Sequence, residues 1–72
     1  MRTEYGYQIY RKDQTLRVEA SGFASKSHAV DRAHDNLDSN RDSHAIVLSY
    51  HWQGGKFLQA RHIKRIEAPP LS

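Results

Sequence analysis

Cysteine is absent from this 72-residue chain, and proline occurs only twice. Without cysteine no disulfide can staple the fold, and a Cys-based zinc site is excluded. Absent cysteine also fits a reducing compartment. Long apolar runs are missing too. The longest, Ala45-Ile46-Val47-Leu48, is strand-sized, far below the ~18 residues of a membrane span. The N-terminus lacks the apolar stretch of a secretory signal. These absences predict a cytoplasmic protein with no membrane contact.

Length then sets the scale. A chain this short forms one domain and buries only about 60–65% of its unfolded surface. Its core must be thin, unless a second copy thickens it. Pro69-Pro70 cannot extend a sheet interior, so residues 1–68 are expected to form the domain and 69–72 a tail.

The net charge is +3, from eleven Lys/Arg against eight Asp/Glu, and it is unevenly spread. Residues 1–24 carry four bases and three acids; 25–42 carry three and four; 43–72 carry four and one. The excess sits in Lys56, Arg61, Lys64 and Arg65. A balance this modest permits an anionic partner without requiring one.

Periodicity predicts the elements. Tyr5 to Arg11 alternates and is rich in β-formers. Lys12-Asp13-Gln14 suits a hairpin turn. Leu16 to Ala20 alternates again. Ser25 is an N-cap candidate, and Ala29, Val30, Ala33 and Leu37 then form one helical stripe over 26–37. Because the stripe is made mostly of small residues, the helix should lie close to a sheet. Ala45 to Trp52 reads as the strongest strand, and Gln53-Gly54-Gly55-Lys56 as its hairpin turn. Phe57 to His62 returns, with a continuation to Ile66.

The pattern predicts an α+β fold: a four-stranded, mainly antiparallel sheet in the order β-β-α-β-β, with one helix on one face. The expected core is Tyr7, Ile9, Leu16, Val18, Val30, Ala33, Leu37, Ile46, Leu48, Leu58 and Ala60. Tyr50 and Trp52 go with the covered face, although one bulge would move Trp52 across. Tyr10, Arg17, Glu19, Val47, Ser49, His51, Phe57, Gln59 and Arg61 are expected on the open face.

Catalytic constellations fail on spacing. His28 and His34 are six apart, hence about 120° apart round a helix. His44 and His51 would face opposite sides of one strand. His51 and His62 could meet across paired strands but would need two further ligands, so no metal is expected. No serine sits in a G-x-S-x-G elbow, and the adjacent Asp42-Ser43-His44 cannot converge as a triad. Asp31 and Asp35 read as a solvated helix face. A domain this small is also expected to lack a cleft of ~300 Å³. Gly54-Gly55-Lys56 is not a phosphate loop, because strand rather than helix follows it. The sequence therefore predicts a protein that is not an enzyme and takes no cofactor.

Binding remains. Aromatic platforms beside bases are how β-sheet modules stack nucleobases and neutralise phosphates. An open sheet face rimmed by charge equally suits a protein partner or a second copy in a homodimer. The candidate contacts are Tyr10, Arg17, His51, Phe57, Arg61, Lys64 and Arg65.

The run Leu16-Arg17-Val18-Glu19-Ala20, followed by Ser25-Lys26-Ser27-His28-Ala29 and Ala33, resembles small anti-CRISPR proteins of phages and mobile elements. In several of these a strand ending in V/I-E/D-A leads into a short alanine-studded helix and then a hairpin. The likeness spans residues 5–66 in architecture and 16–33 in sequence. It implies a phage-encoded inhibitor that docks on a host RNA-guided nucleoprotein complex without catalysis. Many such inhibitors are acidic and mimic DNA. This chain is basic, so the resemblance implies contact with protein, or nucleic acid drawn into the complex. It carries no functional residue across. The alternative is a small nucleic-acid-binding module using the same basic and aromatic residues.

Overall fold

A computed structural model describes residues 1–70. The order is β1 (Arg2–Arg11), β2 (Leu16–Phe23), α1 (Lys26–Asn36), β3 (Asp42–Gln53) and β4 (Lys56–Glu67). This is the expected α+β fold. All neighbouring strands pair antiparallel, in the sheet order β2-β1-β3-β4.

Local chemistry explains the joints. In the first turn Gln14 takes a left-handed φ of 73°, and the Asp13 carboxylate accepts hydrogen bonds from the Thr15 backbone N–H and hydroxyl. In the second, Gly54 and Gly55 have φ of 58° and 78°, which a tight hairpin of this kind requires. The Ser25 hydroxyl accepts from the His28 N–H and caps α1. β2 runs three residues past its expected end, because a bulge around Ser21 and Gly22 lets Phe23 pair with Tyr5.

The molecule measures 47 × 22 × 15 Å, so it is long and two layers thin. Helix α1 packs on β1, β3 and β2. Beneath it lie Tyr7, Ile9, Ala45, Val47 and Ile66, facing Ala29 and Ala33. Ile9 and Val47 are fully buried and contribute about 1.5–3 kcal/mol each. Three of the seven residues in this cluster are alanines, so few groups carry the stability.

The expected core needs correction at β3. Its faces are exchanged: Ala45, Val47 and Ser49 lie under the helix, while Ile46, Leu48, Tyr50 and Trp52 face away from it. The pairing with β1 sets this, because Ala45 sits opposite Ile9 and Val47 opposite Tyr7, and all four lie in the cluster with Ala29 and Ala33. Leu58 and Ala60 are exposed because β4 is an edge strand. Leu16 is exposed because it pairs with Tyr10 on the open face.

A polar clamp closes the helix-to-β3 connection. The fully buried Asp42 carboxylate accepts from Arg17 Nε at 2.7 Å, from Arg17 Nη2 at 2.6 Å and from the Asp38 N–H at 2.8 Å. Arg17 Nη2 also donates to the Asn36 carbonyl at the end of α1. One guanidinium thus ties β2, the helix terminus and β3 together. Its hydrogen bonds hold Asp42 below the usual carboxylate range, against the effect of burial.

Candidate binding surface

Register places side chains on the two faces. Away from the helix, β1 presents Glu4, Gly6, Gln8 and Tyr10. β3 presents His44, Ile46, Leu48, Tyr50 and Trp52, and β4 presents Phe57, Ala60, His62 and Arg65. Among the described residues no element covers this face. Its larger side chains shelter one another, and Leu48 is only 4% exposed.

Gly6 is what lets Tyr50 lie flat. A Cβ there would come within 2.9 Å of Tyr50 Cε2 and 2.4 Å of the Ala20 carbonyl oxygen. The ring therefore occupies the space above a residue with no side chain. Burial pushes the Tyr50 phenol above its ordinary value, with smaller contributions from Glu19 and Tyr10.

Two aromatic pairs flank Tyr50. Tyr10 stacks on His44 with centroids 5.1 Å apart, and Trp52 meets Phe57 edge-on at 5.3 Å. The Arg2 guanidinium stands 5.5 Å over the Trp52 ring, a cation–π contact. Trp52 Nε1 is buried without a hydrogen-bond partner. A short chain runs from the Tyr10 hydroxyl, which donates to Gln8, to the Gln8 amide, which donates to Glu19. Burial lowers the His44 pKa, and Arg65 adds to that effect.

The seven candidate contacts divide three ways. Tyr10, Phe57 and Arg65 share the open face. His51, Arg61 and Lys64 lie on the helix side, where Ser49 Oγ and Thr3 Oγ1 stand 2.9 and 3.4 Å from the His51 ring nitrogens. Arg17 is engaged with Asp42. The expected open-face positions of Arg17, Val47, Ser49, His51, Gln59 and Arg61 are thus corrected. A bulge opposite Ile9 and Tyr10 makes Arg17 the extra residue and turns it to the buried carboxylate. Tyr50 and Trp52 were missed as open-face residues.

A depression of about 380 Å³ does exist, contrary to expectation, at the end of the sheet. It is lined by Lys12, Ser39, Asp42, Ser43, Ala68, Pro69 and Pro70. Its one carboxylate is already committed to Arg17 and the Asp38 N–H. Among the described residues no three His, Asp or Glu side chains converge as metal ligands would. Also among them, no helix is long and apolar enough to cross a membrane. No protein-family model, curated protein or solved structure matches the chain.

Proposed function

We propose that this chain is a non-catalytic binding protein that docks its uncovered sheet face on a protein surface of a larger assembly. The observation behind this reading is the aromatic strip of Tyr10, Tyr50, Trp52 and Phe57 on a face that no element of the fold covers. Rigid aromatics supply contact area at low entropic cost, and they are enriched at the centres of interfaces. Phe57 is 46% exposed and stands as the natural anchor. The resemblance to anti-CRISPR proteins supplies the partner class: a bacterial RNA-guided nucleoprotein complex, engaged through its protein surface and inhibited by occlusion.

The test is phage plaquing on bacteria armed with each of the common CRISPR system types. Expression of the chain should restore plaquing against one of them. Phe57→Asp, on an exposed side chain, should abolish that rescue while leaving the circular dichroism spectrum unchanged. Plaquing that stays blocked in every system, with no co-elution of the chain with the purified complexes, would overturn the reading.

A further inference from the structure

All of the chain's net charge lies on β4. That strand carries Lys56, Arg61, Lys64 and Arg65 against Glu67, a net of +3, and the whole chain is +3. Everything outside β4 is balanced. Arg65 meets Glu67, but Lys56, Arg61 and Lys64 have no carboxylate within ion-pair distance among the described residues. The bases also straddle the strand. Arg61 and Lys64 lie on the helix side, Arg65 and His62 on the open side, and Lys56 at the hairpin end. The result is a ridge of cations about 30 Å long, from the nine residue steps between Lys56 and Arg65 at roughly 3.3 Å each.

Three occupants of such a ridge can be compared. A second copy would bring like charges together along its whole length. An acidic peptide added as a fifth strand would need an unbroken row of backbone groups. β4 lacks that row, because Leu58 and Ile63 are extra residues at two bulges. A phosphodiester backbone needs neither pairing nor register, only cations at intervals. Exposed Phe57, next to Lys56 and edge-on to Trp52, supplies a surface on which a base can stack. A duplex would want an element shaped for a groove. The helix instead packs on the sheet, and Lys26 and Arg32 on it are balanced by Asp31 and Asp35.

We infer that β4 is a binding edge for single-stranded nucleic acid, its bases neutralising phosphates and Phe57 stacking a nucleobase. Phe57 is shared with the protein-docking reading, but Arg61 and Lys64 lie on the helix side, outside the docking face, so the variant at those two positions tests this inference alone.

Fluorescence polarisation of a labelled oligothymidine and a labelled oligouridine against the purified chain tests it. Four phosphate contacts predict a log-log salt slope near −2.8, so affinity should fall about 50-fold between 50 and 200 mM salt. The double variant Arg61→Glu/Lys64→Glu should weaken low-salt binding by about tenfold or more and roughly halve that slope. Lys26→Glu/Arg32→Glu makes the same change of net charge on the helix and should change affinity less than about threefold. Circular dichroism confirms that each variant is folded. The inference is overturned by absent binding at 50 mM salt, by equal loss in the helix variant, or by binding of duplex or polyglutamate as tight as that of the single strands.

Discussion

β3 and β4 are two arms of one hairpin, each twelve residues long and paired with the other from His44 and Glu67 to the turn except at two bulges, yet they have opposite fates. Six residues of β3 are buried, against one of β4. The difference does not lie in the presence of apolar residues, since β4 contains Phe57, Leu58, Ile63 and Ile66. It lies in position. β3 has a strand on each side and a helix above; β4 has a neighbour on one side only. One arm serves as structure and the other is free for contact.

The acidic residue near one end of each arm gives the sharpest version of this contrast. Asp42 of β3 is fully buried in its pair with Arg17, whereas Glu67 of β4 meets Arg65 with both side chains more than half exposed. Asp42→Ala should be the most damaging single change. It strands a largely buried guanidinium, at a cost of about 3–5 kcal/mol in urea unfolding. If Arg17→Met/Asp42→Leu proves as unstable as Asp42→Ala, the cost does not come from an orphaned charge.

Core truncation comes next. Val47→Ala in β3 should cost about 2 kcal/mol, while Leu58→Ala in β4 removes a larger side chain for about 0.5 kcal/mol or less. Equal midpoint shifts in denaturant would erase the distinction between the arms.

Acid should act through β3. His44 is buried and its pKa is lowered, so the unfolded chain takes up its proton first. Its neutral form is favoured by folding above the unfolded value near 6.5, and that contribution is lost as the pH falls toward the lower folded value. The lowered Asp42 pKa works in the same sense at more acidic pH, where protonation of the carboxylate in the usual range and below weakens the clamp. Midpoints measured from pH 7 to 5 should decline, and His44→Phe, which keeps a ring against Tyr10, should flatten that decline. An unchanged slope in the variant would place the sensitivity elsewhere.

The smallest effect belongs to β4. Glu67→Gln breaks an exposed ion pair and should change stability by less than about 0.5 kcal/mol. A larger loss would mean that this edge contributes to the fold more than its exposure indicates.

The elements were legible in the sequence because each rests on local chemistry: alternation, paired glycines, a serine cap and a stripe of alanines. The facing of β3 was not. Ile46, Leu48, Tyr50 and Trp52 are the more hydrophobic set, and hydrophobicity alone places them inside. Register decides otherwise: pairing with β1 puts Ala45 and Val47 beside Ile9 and Tyr7 under the helix, and nothing within β3 itself specifies that pairing. Arg17 was misplaced for a different reason. A bulge shifts a side chain across the sheet without leaving any mark on the periodicity. The basic character of the last strand needed only counting, whereas its place at the sheet edge needed the topology. In the sequence Asp42 stands only in Asp42-Ser43-His44, which cannot form a triad, and nothing local indicates that a carboxylate will meet an arginine 25 residues away.

The bulges at Leu58 and Ile63 have a consequence for life at high concentration. A bare strand edge twelve residues long invites stacking into fibrils, which grow by adding one flat edge to the next. Two interruptions and a row of like charges remove the flatness and the attraction at once. Both features disfavour edge-to-edge growth and leave the border to a partner of another kind.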